Sequence, residues 1–594
     1  MLRSKYINTP LLVLLFALLL VPHAINAQPD QFDKLLEDFY QEGLKLSPLV
    51  ATVNNGDNRY NDQLEIDISD EYRTAFVNYY KKYKSQLTQF ERSSLSEDRQ
   101  MSYDILLWEC NINIEGGKYR ADLMPINQLF AMPLMMGQLA SGMGAQPFAS
   151  MKDYDNWLKR LDGLVEWTDL SIVKMREGIK EGYVLPKPLT ERMIPQYESL
   201  AIGPVEDHLY YGAVKNMPET FSKKESARIK KAYLDKIQNV IIPAFNRLHT
   251  FLKDEYLPNS RETDGLGGLP NGLAYYNYLI KLQTTTELDA DQIYKIGLAE
   301  VTRIRFEMMK VKEQVGFEGS LLEFFNDVRS NKKLMPFKTA EEVLANFERI
   351  HQRIGPKVKE QFDFNPKIAF EIRRVEAFRE ATTSAHYMMG SPDGSRPGIF
   401  YVPIPDATKY NTYSDESLFL HEAIPGHHFQ ASVGLENTSL PTFRKFVWYG
   451  AHGEGWALYC ESLGKELGLF TDPYQYFGML GSEMHRAIRL VVDAGIHSKD
   501  WTREQAIQYS LENEALAEDI IISEVERYMA WPAQALSYKI GQLKIQELRA
   551  KAEHEMGVNF DVKKFHRKVL ESGGLPIKIL EQKIDAWIAT NNKS

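Results

Sequence analysis

The sequence predicts a mainly α-helical chain, and three observations carry that expectation. Seven stretches place apolar residues three or four apart, the spacing of one helix face. Long runs of strict strand alternation are missing. Over 594 residues, 44% hydrophobic and 25% charged is an ordinary globular balance, enough for one large core or several lobes.

The chain opens with MLRSKYINTP, which carries Arg3 and Lys5, then the apolar run LLVLLFALLLVP, then AINAQPD. The run is too short and wrongly flanked for a stable membrane span, and Ala27 offers a small residue for cleavage. Residues 1–27 therefore read as a secretory signal peptide. No Cys lies near the cleavage point, so a lipid anchor is disfavoured and the expected location is periplasmic or secreted. No later segment has 18 uncharged apolar residues, so the mature chain should have no membrane span.

Helical periodicity follows over 32–46, 153–182, 225–257, 289–315 and 340–354. RETDGLGGLPNGLAYY (261–276) interrupts it as a Gly/Pro-rich loop. KIAFEIRRVE (367–376) and GIFYVPIP (398–405) carry β-type residues, with turn-rich MMGSPDGSRPG between them. A small sheet is thus expected immediately before residue 421, and GIFYVPIP could be an edge strand that holds an extended peptide. Helices resume over 502–530 and 535–556. There are no repeats and no low-complexity linker. The mature chain, 28–594, reads as one large helical catalytic domain with possible lobes 28–365 and 366–594.

Charge and cysteine usage exclude several classes. A net charge of −10 without any basic block argues against a nucleic-acid partner. Cys110 and Cys460 are the only cysteines, too few for a thiolate zinc site, and sequence alone does not pair them.

Histidine is distributed unevenly. Of 13 His, seven (His386, His421, His427, His428, His452, His485 and His497) fall in under a fifth of the chain. In YSDESLFLHEAIPGHH, Ser414 or Asp415 can cap a helix whose far end holds His421 and Glu422. Two His four apart on one helix face, with Glu after the first, is a zinc-hydrolase signature. Here position 425 is Pro, and the next His are six and seven residues on. Neither spacing suits an undistorted helix. Pro425 cannot donate to the His421 carbonyl, its ring pushes that turn apart, and Gly426 tolerates the result. A broken turn would bring His427 back beside His421; His428 is the rival second ligand.

A third ligand is available in AHGEGWALYCESLGKELG (451–468). Glu454 and Glu461 stand seven apart among apolar residues, where an unpaired carboxylate is costly to bury. Gly453 and Gly455 suggest close approach of backbone to something. His421, His427 and Glu454 are thus the expected ligands of one Zn2+ per chain, with Glu422 as general base. Such a metal lowers the pKa of its water and polarises a carbonyl, while Glu422 passes the water proton to a leaving amine. Iron(II) accepts the same donors, but usually in β-barrel oxygenases.

Arg486 and Arg489 stand three apart in MHRAIRLVVDAGIH, with Asp493 and His497 at further steps of four. They could grip a substrate carboxylate, and Asp493 could orient a site His; surface Arg–Asp pairing is the plainer reading. In EVERYMAWPAQALSYKIGQ, Tyr538 or Lys539 could donate to an oxyanion.

HEAIPGHHFQ, EGWALYCE, RAIRLVVDAGIH and EVERYMAWPAQALSYKIGQ resemble the ordered blocks of the bacterial domain-of-unknown-function 885 (DUF885) family, as do EYLPNSRETDGLGGLPNG and GSRPGIFYVP upstream. The resemblance covers nearly all of the mature chain. It implies a secreted or membrane-attached zinc metallopeptidase with a helical, zincin-like fold similar to thimet oligopeptidase and the Taq-type carboxypeptidases. In that likeness a small sheet lies beside the active-site helix and a deep channel runs between two lobes. It implies His421 as first ligand, Glu422 as base, Glu454 as downstream ligand and Tyr538 as site tyrosine. The expected activity is cleavage of short peptides, by a carboxypeptidase or an oligopeptidase. The alternatives are a metal-free peptide-binding protein and a metal hydrolase of non-peptide amides or esters.

Overall fold

The structure, a computed structural model, describes residues 21–591 apart from 143, 377–379, 381–382, 392–393 and 395. Residues 1–20 of the expected leader lie outside that range. Among the described residues the chain is mainly helical with one small sheet, and no helix is long and apolar enough to cross a membrane.

Local rules explain most helix boundaries. The segment expected over 153–182 is the helix Met151–Glu181, which a Ser150–Asp153 capping box opens and left-handed Gly182 closes. The stretch expected over 225–257 is helical throughout but contains two wider turns, Ile237–Ile241 and Leu252–Tyr256. Each lies just before a proline, Pro243 or Pro258, whose ring cannot fit an unaltered preceding turn. The stretch expected over 502–530 divides into Arg503–Asn513 and Glu518–Ala530. Glu514 turns extended at the break, and its buried carboxylate lies 2.6 Å from His485 Nδ1.

Two large apolar cores organise the chain. One is confined to residues 49–256 and is built on Trp157, Leu161, Leu164 and Trp167. The other joins residues 32–110 to residues 301–588. The apolar packing therefore does not divide at 365, because the N-terminal helices and the helix Ala340–Gln361 pack into the same core as the C-terminal half. Cys110 and Cys460 are both buried in this core as free thiols.

The expected sheet is present, with a third strand. β1 (Phe370–Arg374), β2 (His386–Met388) and β3 (Gly398–Val402) are ordered β1-β3-β2. GIFYVPIP is therefore not an edge strand. β3 is buried along its whole length, with β1 parallel on one side and β2 antiparallel on the other. The edge nearest the candidate site is β2, a three-residue strand too short to announce itself by alternation.

Candidate metal centre

A break in the chain creates the site. The helix Asp415–Glu422 stops one residue after His421, and a new helix, His427–Glu436, begins after a four-residue link. The link turns at Ala423 (φ −107°, ψ −107°) and Gly426 (φ −71°, ψ −127°), and the Ile424–Pro425 peptide is cis. Gly426 is needed for proximity rather than for φ: a Cβ there would overlap the carbonyl oxygens of both His421 and Leu420. Trp456 Nε1 donates to the Pro425 carbonyl at 2.9 Å, which ties the turn to the helix Gly450–Ser462.

The broken turn brings His427 beside His421, with ring centroids 4.9 Å apart and planes at 89°. Glu454 completes a triangle. Its Oε2 lies 3.6 Å from His421 Nε2 and 3.4 Å from His427 Nε2, and one donor atom of each residue falls within 4.8 Å of the others. Bonds of about 2.1 Å to a tetrahedral zinc require donor separations of about 3.4 Å. The two-nitrogen, one-carboxylate set fits zinc in identity, and both carboxylate–nitrogen distances match that spacing.

His428 points elsewhere. Its Nδ1 lies 3.1 Å from the Tyr387 hydroxyl, its ring packs on Phe370, and burial pushes its pKa down to about 4. It is a packing residue between helix and sheet.

Glu461, seven residues after Glu454, orients the first histidine. Its Oε1 lies 2.8 Å from His421 Nδ1, and Ser417 Oγ donates to its other oxygen. A carboxylate on Nδ1 fixes the ring and leaves Nε2 for the metal. The electrostatics agree with a site built for positive charge. Burial works to lower the pKa of His421, but Glu454 and Glu461 outweigh it and hold it at about 9. Burial likewise works to raise Glu454, yet the two imidazoles keep it well below the usual carboxylate range.

The seven predicted site residues, His421, Glu422, His427, Glu454, Arg486, Arg489 and Tyr538, all line one cavity of about 970 Å³. Arg489 is already committed: Nη2 donates to Glu524 at 2.9 Å and Nε to the Tyr528 hydroxyl at 3.2 Å. Its guanidinium stands 4.7 Å from the Tyr538 ring centroid. Glu524 also binds Arg527 and faces His485; the hydrogen bonds from His485 and Arg527 and the charges of Arg489 and Arg527 outweigh burial and keep its carboxyl far below its ordinary range. Among the described residues Arg486 hydrogen-bonds only to neutral groups, with Nη1 donating to Ser482 Oγ at 2.8 Å, and its charge acts on Glu461. Lys539 is turned away into a buried cluster with Glu300 and Glu483.

Asp493 orients no site histidine. Tyr276 donates to it at 2.6 Å and the Ala533 amide at 3.1 Å, inside the core. It makes no pair with Arg489, whose guanidinium is held by Glu524. His497 is structural as well, accepting from the Leu266 amide and donating to the Tyr528 carbonyl.

Sequence reasoning missed the orienting role of Glu461 on His421 and the place of His485, Glu524 and Trp448 in the cavity wall. Trp448 is 60% exposed and its indole sits over Gly453, 6.2 Å from the His427 ring. The two-turn step from Glu454 to Glu461 was a readable signal for Glu461. Nothing local marked Trp448.

Residues 48–584 match a family described as a bacterial protein of unknown function, DUF885. No curated protein matches the chain. Two solved structures are similar to it. A "putative lipoprotein" from Colwellia psychrerythraea is 26% identical, with a TM-score of 0.86, over 95% of this chain and all of that one. A "putative lipoprotein of unknown function" from Shewanella oneidensis is 21% identical, with a TM-score of 0.73, over 93% of this chain and 99% of that one, and shares the fold.

Proposed function

The chain belongs to the DUF885 family of bacterial proteins of unknown function, and from the geometry of its site we propose that it is a zinc-dependent hydrolase, a metallopeptidase acting on short peptides. One observation carries the reading: the His421–His427–Glu454 triangle, with sides of 3.6 and 3.4 Å, lies beside Glu422 in the wall of a large cavity. Zinc, when bound, makes its water acidic enough to act near neutral pH and polarises the substrate carbonyl.

The chain's own residues do the rest. Glu461 and Ser417 hold His421 in the orientation that presents Nε2. Glu422 takes a proton from the attacking water and returns it to the leaving amine. Tyr538, held under two guanidiniums on the cavity wall, is the donor for the developing oxyanion. A concave site of this size, walled by the helical body and the sheet, admits extended peptides and excludes folded proteins. The zincin-like likeness and a channel between lobes belong to this same reading. The leader-like sequence of residues 1–27 and the lipoprotein description of the two similar structures support a location outside the cytoplasm.

The test is metal content of the purified chain beside His421→Ala and His427→Ala, followed by a peptide screen. The expected result is about one zinc per chain, lost in both variants, with chelator-sensitive cleavage. Failure to bind zinc at neutral pH would overturn the proposal.

A further inference from the structure

A second cavity, of about 190 Å³, opens beside the first and shares His421, Glu422, His485 and Arg486 with it. Its position has a chemical meaning that rests on the hydrolase reading. A base that returns its proton to the leaving amine stands on the leaving-group side of the reacting carbonyl. Both cavities reach Glu422, so the smaller recess is one of two places open to the departing part of a substrate.

Its size and charge narrow what departs. At about 30 Å³ per water, the recess holds about six waters, room for one side chain rather than a length of peptide. Two of the carboxylates in its wall are occupied: Glu461 with His421 and Ser417, and Glu514 with His485. Arg486 is the reverse case. It lines both cavities, no carboxylate lies within ion-pair distance of it among the described residues although its charge acts on Glu461 across the recess, and its buried Nε has no hydrogen-bond partner there. A guanidinium held this way at the rim of a one-residue recess matches a carboxylate.

We propose that the smaller cavity is the subsite for a single leaving amino acid, with Arg486 holding its free carboxylate. The reaction is then removal of one C-terminal residue from a short peptide. The peptide C–N bond breaks, the acyl carbon gains the water's hydroxyl, and the amine nitrogen gains its proton. Gly481 sets the depth of the recess. It lies in the helix Pro473–Ser498 and lines the small cavity, and a Cβ added there meets nothing within 4 Å.

The experiment is calorimetric binding to zinc-loaded full-length Glu422→Gln protein, which holds substrate without turning it over. The probes are Gly-Gly-Phe, Gly-Gly-Ala and their C-terminal amides. Each free acid should bind about tenfold or more tightly than its amide, and adding Arg486→Gln should bring the two together. Adding Gly481→Leu should weaken Gly-Gly-Phe by about tenfold or more and leave Gly-Gly-Ala within a few-fold. Equal binding of acid and amide with Arg486 intact overturns the assignment, as does equal weakening of both peptides by Gly481→Leu. The two levels of inference fail differently. Cleavage of amidated peptides by the wild type would keep the hydrolase and overturn the leaving-residue subsite. Acid-selective binding without any hydrolysis would keep the subsite and overturn the hydrolase.

Discussion

At the residue scale, the proposed hydrolase mechanism separates groups that react from groups that position. Glu422→Gln should lower kcat by about 10²–10⁴-fold while zinc stays bound, the range for loss of a general base; turnover near wild type would remove Glu422 from the mechanism. Glu461→Gln acts differently. It leaves the three ligands in place but loosens His421, so zinc affinity should fall about 10–100-fold, read by competition with a chelator. Unchanged affinity would make the 2.8 Å contact incidental. His421 and Glu422 were readable as an adjacent His-Glu pair at a helix end, and Glu454 as a carboxylate among apolar residues that needs a partner. The choice between His427 and His428 was not, because it depends on backbone angles at Ala423 and Gly426. The commitment of Arg489 was equally invisible. Glu524, which pairs with its Nη2, is 35 residues away.

At the element scale, the link between the two histidine helices does the most work. Gly426→Ala drives a methyl into the carbonyls of His421 and Leu420, so the turn has to open. A loss of about 1–3 kcal/mol is expected from such overpacking, together with loss of zinc; thermal melting and metal content read the two effects. A stable, zinc-replete variant would show that the turn has room to relax. The same scale explains the errors in reading strands. β3 could be found from GIFYV, but whether it is central or at an edge depends on β2, and a strand of three residues has no period to detect. The break at 514–517 was hidden because EALA is good helix sequence; the His485–Glu514 contact overrides propensity there.

At the scale of the whole molecule, helical class and the sheet before residue 421 were legible, and the partition of the core was not. A division near 365 follows from a sequence read in order, whereas residues 32–110 return to pack against the C-terminal half. That shared core also buries acids. Burial pushes the Asp415 carboxyl up to about 8, against hydrogen bonds from Tyr410 and Asn346. A carboxyl raised above its unfolded value stabilises fully below that value, near 3.9, and the contribution is lost as pH rises through the folded one. The melting temperature should therefore fall more steeply between about pH 4 and 8 in the wild type than in Asp415→Asn. Parallel curves would mean that Asp415 ionises without cost.

Gly455 and Gly541 meet where the helix Gly450–Ser462 crosses the helix Leu536–Met556, so closely that a Cβ on either would strike the other's main chain. Glu454 stands next to one of these glycines and Tyr538 one turn from the other. The third ligand and the tyrosine thus ride on a single welded seam, and breathing of the active cleft has to come from its other walls. For anyone re-engineering this scaffold, the seam is the part to leave alone. New selectivity can be sought at Gly481 or Trp448, where a changed side chain meets open space or solvent and the catalytic frame stays as it is.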